Sequence, residues 1–200
     1  MISTFTALFD ANVFYGARLR SLIVYLAQSG TFRARWSEEI HREWMSKLVE
    51  RRSDLTLEKL ERTRRLMDAA VPDCLVTGYE DLVDTLVLPD PGDRHVLAAA
   101  IRVSADVIFT FNVKDFPDAV AGPYGIHTKT PDDFILDLES LHPTTLLDAV
   151  LADKAHYQNP PLTFDAYLDD LRKAGIPRVA EFLDKVRVVL EDDDPSKIGS

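Results

Sequence analysis

The chain has 200 residues, 46% of them apolar, which is enough for a real core in one large domain or in a compact domain with an appendage. A single cysteine, Cys74, excludes an internal disulfide and a cysteine cluster for zinc, and a reducing cytoplasm is the expected location. The net charge of −10 argues against polyanion binding only on average, because residues 1–65 hold 12 Lys/Arg against 8 Asp/Glu while residues 66–200 hold 11 against 25. The start, MISTFTALFDANVFYG, lacks a basic n-region and a long apolar h-region, and no stretch approaches the roughly 20 apolar residues of a membrane span. Neither secretion nor membrane insertion is expected.

Thr6 to Phe9 is a short apolar run that stops at Asp10, and Tyr15 to Ser29 then shows helical spacing through Leu19, Leu22, Ile23 and Leu26 before Gly30. Phe32 to Trp36 reads as the next strand, and Ser37 as the N-cap of a helix through Ile40, Trp44 and Leu48. Leu57 to Ala70 is a further helix, closed by Pro72, and Cys74 to Thr77 a short strand. Asp93 opens an Ala-rich helix, and the continuous apolar run after Asp106 predicts a buried parallel strand. This alternation predicts an α/β fold with a central parallel sheet covered by helices on both faces, a three-layer α/β/α arrangement.

Beyond about residue 140 the pattern turns all-helical. Thr144 to Tyr157, Phe164 to Ala174 and Pro177 to Leu190 have helical spacing, separated by Asn159-Pro160-Pro161 and Gly175-Ile176-Pro177. The expected organisation is a domain over 1–140, a helical extension over 141–190 and a flexible acidic tail over 191–200.

The chemistry enters where carboxylates fall. In an open parallel sheet the ligand site lies beyond the carboxyl ends of the strands. Asp10 follows the first strand there, Asp90 and Asp93 precede the Ala-rich helix, Asn112 and Asp115 follow the strand over 107–111, and Glu43 stands one helical turn beyond Glu39. Carboxylates gathered in one place repel unless cations neutralise them, and oxygen-only ligands suit Mg²⁺ or Mn²⁺. Such ions activate water for phosphodiester hydrolysis without a protein nucleophile.

These residues resemble the PIN domains. The first motif resembles Phe9-Asp10-Ala11-Asn12-Val13, the second Ser37-Glu38-Glu39-Ile40-His41-Arg42-Glu43, the third Asp90-Pro91-Gly92-Asp93 with the alanines that follow, and the fourth Thr110-Phe111-Asn112-Val113-Lys114-Asp115. Four motifs in the family's order across residues 5–135 make the resemblance specific, closest to the VapC-like toxins of type II toxin–antitoxin systems. The resemblance implies a Mg²⁺- or Mn²⁺-dependent, single-strand-specific endoribonuclease, often a homodimer blocked by a cognate antitoxin protein. It also implies that Asp10, Glu43, Asp93 and Asp115 form the metal-binding catalytic set, supported by Asn12, Ser37, Glu39, Asp90, Thr110 and Asn112. RNA would lie along the basic stretch, with Arg42, Lys47, Arg51 and Arg52 on phosphates and Trp36, Trp44 or Tyr15 stacked on a base.

Each residue also has a structural alternative. Asp10 serves equally as an Asx-turn or N-cap residue, Asp93 as a helix cap, Asp90 as a turn residue before Pro91-Gly92, and Glu39 or Glu43 as an ion-pair partner of Arg42 or Lys47. His41 and His95 read as surface or capping residues, and core packing is the default for Trp36 and Trp44. Two other functions compete. An aspartyl-nucleophile phosphatase would want an acid where Asn12 stands. A catalytically silent binding module would keep the same fold to hold an antitoxin or RNA. No Gly-rich phosphate loop follows any strand, which excludes P-loop and dinucleotide enzymes.

Overall fold

The run Thr6–Phe9 forms β1 with all four residues buried, as a central parallel strand buried on both faces requires. The computed structural model describes residues 5–158 and 160–188. β2 (Arg33–Ser37), β3 (Leu75–Val76), β4 (Val107–Phe109) and β5 (His127–Lys129) complete a sheet in the order β3-β2-β1-β4-β5, with every pairing parallel. The helices are α1 (Ala17–Gln28), α2 (Glu38–Arg51), α3 (Leu57–Ala70), α4 (Glu80–Val83), α5 (Arg94–Arg102), α6 (Asp118–Ala121), α7 (Pro131–Leu141), α8 (Pro143–Ala155), α9 (Phe164–Lys173) and α10 (Pro177–Lys185). Among the described residues, no helix is long and apolar enough to cross a membrane.

The chain divides into two compact units. One holds residues 5–15 and 30–131, and the other residues 16–29 and 132–188. The first is a parallel sheet with flanking helices. Its core is aromatic: Phe9 stacks on Phe109 at 4.7 Å, and Phe14 meets Trp36 edge-on at 5.6 Å. Burying each such ring contributes about 1.5–3 kcal/mol. Helix α2 starts where the Ser37 side chain accepts the Ile40 N–H, and α3 where Thr56 accepts the Lys59 N–H.

A polar network ties α2, α3 and β2 together inside this unit. Trp36 Nε1 donates to Asp68 Oδ1 at 2.9 Å, His41 Nε2 meets the same oxygen at 2.9 Å, and Trp44 Nε1 donates to His41 Nδ1 at 2.9 Å. Because Nδ1 accepts, Nε2 carries the proton and donates to Asp68; burial pushes the imidazole pKa down and keeps it neutral. The expectation of a surface His41 is therefore corrected: it is fully buried. Trp36 and Trp44 are also fully buried, so neither is free to stack on a base.

In the second unit α1 packs with α8 and α9. Asp153 is fully buried on α8 and accepts from Arg18 Nη1 at 3.3 Å, from Ser21 Oγ and from Tyr167 OH at 2.9 Å. The Arg18 guanidinium lies over the rings of Tyr157 and Tyr167, at 4.2 and 4.8 Å from their centroids, which adds cation–π attraction in a desolvated place.

Several boundaries differ from the sequence expectation. The helix expected from Tyr15 begins at Ala17, because a 3₁₀ turn occupies Ala11–Phe14 and Gly16 is extended. β5, α4, α6 and α7 were not anticipated; His127-Thr128-Lys129 is short and polar, and only its pairing with β4 makes it a strand. The expected C-terminal helices appear as α8, α9 and α10, ending at Ala155, Lys173 and Lys185. Residues 189–190 of the last expected helix, the tail 191–200 and Asn159 lie outside the described residues.

Candidate active site

β1 and β4 are neighbours in the sheet, so their carboxyl ends deliver Asp10 and Thr110 to the same place. The Asp10 N–H donates to the Phe109 carbonyl at 2.9 Å, closing the ladder and fixing where the acid stands. Thr110 Oγ1 donates to Asp10 Oδ2 at 2.6 Å while accepting from Asn12 Nδ2 at 2.8 Å and from the Asn112 N–H at 2.9 Å. Asn12 Nδ2 also donates to Asp10 Oδ2, and its Oδ1 accepts the Phe111 N–H at 3.1 Å. Asp10, 3% exposed, is thus held in one orientation by two side chains whose own hydrogen bonds are satisfied. The Ala11 backbone N–H at the start of the following turn also supports the Asp10 carboxylate, whereas the Asp93 side chain makes no capping bond to α5.

The other acids come from three further elements. Asp93 ends the 3₁₀ turn Pro91–Asp93 that leads into α5, Asp115 ends the turn Val113–Asp115 after β4, and Glu43 projects from α2. Burial, Asp10, Asp90, Asp115 and Glu43, in that order, push the Asp93 pKa up to about 7. Burial is also the main cause that lifts Asp10 to about 6; Glu43 adds to it, and the Thr110 hydrogen bond and His95 oppose it. Carboxyls that raise one another's pKa share one electrostatic site, whose repulsion a bound cation would relieve. The donor set, oxygen from carboxylates alone, fits Mg²⁺ or Mn²⁺. Among the described residues, no three His, Cys, Asp or Glu side chains converge tightly enough to clamp an ion by themselves. A loose set suits Mg²⁺, which keeps several waters and is held through one or two carboxylates.

The supporting residues sort by what they touch. Asn12 and Thr110 grip Asp10, whereas Asn112 joins through its backbone N–H. Ser37 caps α2, so it sets the start of the helix that carries Glu43. Asp90 accepts the Gly92 N–H at 2.8 Å, the turn alternative, yet it still faces Asp93 electrostatically. Glu39 lies 4.0 Å from Arg42 and lines, with Arg42, Glu43, Leu57, Glu58 and His95 among others, a cavity of about 880 Å³ beside the acids. His95, expected at the surface, is 7% exposed, and its Nε2 stands 3.4 Å from Glu43 Oε2.

The basic stretch is largely spoken for. Lys47 pairs with Glu50 at 3.2 Å, Arg52 with Asp54 at 2.7 Å, and Arg64 with Glu38, Glu61 and Asp68. Arg51 makes no ion pair among the described residues and lies over the Tyr15 ring, 5.5 Å from its centroid. Tyr15 in turn feels the acids: burial first, then Glu43 and Asp10, raise its pKa to about 12. Tyr15 is thus influenced by Arg51 on one hand and by Glu43, Asp10 and Asp93 on the other.

Comparison with known proteins bears on the fold that carries these residues. The PIN domain matches residues 6–114, and the VapC50 C-terminal domain matches residues 131–185. The protein named "Putative ribonuclease VapC50" of Mycobacterium tuberculosis is 38% identical over 122 residues, covering 61% of this chain and 69% of that protein. No solved structure gives a significant match. With its parallel sheet and its matched residues covering more than half of the chain, this protein belongs to the PIN-domain family and carries a C-terminal region similar to that of VapC50.

Proposed function

We propose that this chain is a metal-dependent endoribonuclease that hydrolyses RNA phosphodiester bonds with activated water, and that it acts in the cytoplasm as the toxin of a toxin–antitoxin pair. The observation that carries the reading is the gathering of Asp10, Asp93, Asp115 and Glu43 around the carboxyl ends of β1 and β4, where burial first and then the neighbouring acids push Asp93 up to about 7. The ribonuclease named among its relatives supports the substrate class.

Asp10, Asp93, Asp115 and Glu43 would hold Mg²⁺ or Mn²⁺. When bound there, such an ion lowers the pKa of its water and stabilises charge on the phosphate oxygens. Thr110 and Asn12 keep Asp10 in a single rotamer, so its carboxylate does not have to reorganise as the reaction proceeds. Arg51, free of an acidic partner among the described residues, contacts a phosphate of the incoming strand, and Tyr15 beneath it limits its rotamers. The phosphatase alternative lacks its second acid, since Asn12 fills that position and spends both amide atoms on Asp10, Thr110 and Phe111.

The competing reading is a catalytically silent PIN-fold module that binds an antitoxin or RNA. It needs no tight ligand cluster, and among the described residues no three His, Cys, Asp or Glu side chains form one, an arrangement equally compatible with a water-rich Mg²⁺ site. A substrate test separates the two. Single-strand specificity is part of the nuclease reading and not of the silent module. With Mg²⁺ present, a single-stranded oligoribonucleotide is expected to be cut and the same sequence as a duplex to be cut more slowly by roughly tenfold or more. Equal rates on both would contradict single-strand specificity, and no cutting of either under any divalent metal would favour the silent module.

A further inference from the structure

We infer that His95 is a positioning residue for the metal site, acting through Glu43. Resting on the metal-dependent reading above, this adds a member to the site that touches neither substrate nor ion. Glu43 is the one proposed ligand on a long side chain, it comes from α2, and it is 42% exposed. An exposed glutamate samples many rotamers, and ordering it costs side-chain entropy. His95 stands on the first turn of α5, two residues after Asp93, and is 7% exposed. So buried, its ring has little room to reorient, and Nε2 faces Glu43 Oε2 at 3.4 Å. The contact is longer than an ordinary N–H···O bond of about 2.7–3.2 Å, so it narrows the rotamers of Glu43 without fixing a single one. One imidazole thus couples the helix bearing Glu43 to the turn bearing Asp93, so that both carboxylates are presented together.

The test compares His95→Leu and His95→Gln with wild type, alone and combined with Glu43→Gln. The main readout is the Mn²⁺ concentration that half-saturates the rise in thermal midpoint, with melts in chelator as the folding control. Partners of metal ligands are worth about 10–100-fold in metal affinity. His95→Leu is expected to require roughly tenfold more Mn²⁺ while melting near wild type in chelator. His95→Gln, which keeps an N–H, recovers most of that loss, and in the Glu43→Gln background the His95 effect vanishes. A His95→Leu protein that responds to Mn²⁺ at the wild-type concentration, or one whose loss persists undiminished in the Glu43→Gln background, overturns the role of His95 alone. If His95→Leu fails to fold, the same two comparisons are read from His95→Ala, which also lacks the ring N–H. A wild type blind to Mn²⁺ overturns the metal reading itself and this inference with it.

Discussion

Asp93→Asn is expected to raise the thermal midpoint of the metal-free protein and, in the same molecule, to remove most of the further rise that Mg²⁺ or Mn²⁺ brings. The opposite signs follow from one cause. In the folded state burial and four neighbouring acids raise the Asp93 pKa to about 7, from the ordinary 3.8. Between those two values the folded state binds more protons than the unfolded state, so stability falls as pH rises through that window, and the full penalty is present above about pH 7. Asparagine carries no charge to penalise. Asp93 is only partly buried, and solvent screening leaves a gain on the order of 1 kcal/mol, or about 2–4 °C for a chain of this size. Metal acts the other way, stabilising the folded form by mass action only where the carboxylates can bind it. For the wild type, melts in chelator should give a higher midpoint at pH 5.5 than at pH 8, and the shift with metal should be larger at pH 8. The loss of a ligand should also lower the cleavage rate by roughly 10²-fold or more, the equivalent of several kcal/mol of lost charge stabilisation. If Asp93→Asn melts below wild type in chelator at pH 8, or keeps the full metal shift, the acids are not a cation site.

The second large effect falls in the other unit. Asp153→Ala is expected to destabilise the helical unit by about 3 kcal/mol, because it strands the buried Arg18 guanidinium and removes the acceptor of the Ser21 and Tyr167 hydroxyls. At about 2–4 °C per kcal/mol for a chain of this length, that is a large fall in midpoint. Asp170, 3.5 Å from Arg18 on its exposed side, softens the loss without cancelling it. Asp153→Asn keeps two acceptor lone pairs and should lose less. A double change of Arg18 and Asp153 to leucine should also lose less than Asp153→Ala, because nothing charged is left buried. Chemical or thermal melts followed by circular dichroism decide this, and an Asp153→Ala protein that melts like wild type would show that the pair carries no stability.

The two units differ in how far their sequence discloses them. The sheet of the first was legible because parallel strands are short apolar runs, as in Thr6–Phe9 and Val107–Phe109, and α3 because the run from Leu57 to Ala70 is closed by Pro72. Asp10, Asp93 and Asp115 were legible because each sits just after a strand or just before a helix. His95 was not, since nothing adjacent to it indicates that Glu43, 52 positions earlier, faces it from another helix. Nor was Asp68, whose two buried partners, Trp36 and His41, are set by packing rather than by local spacing. β5 failed to show because a strand of three residues borrows its identity from β4. α1 reads along the chain as part of the strand–helix alternation, yet its Arg18 and Ser21 are committed to Asp153, more than 130 residues away. Basic composition misled in a similar way, because Lys47, Arg52 and Arg64 each meet an acid close in sequence or across α2 and α3, which local charge counting does not resolve.

The most direct test of the central claim is cleavage of a mixed pool of structured and unstructured RNAs by wild type and by Asp10→Asn, each with Mn²⁺ or Mg²⁺ and then with chelator. Asp10→Asn keeps an acceptor for Thr110 and nearly the same shape, so it should fold while losing a ligand charge. Cuts that appear only in wild type with metal, at defined positions in unpaired segments, are the result expected of a metal-dependent endoribonuclease. Cuts that persist in chelator or in Asp10→Asn, or a well-folded wild type that leaves every RNA intact, would contradict it.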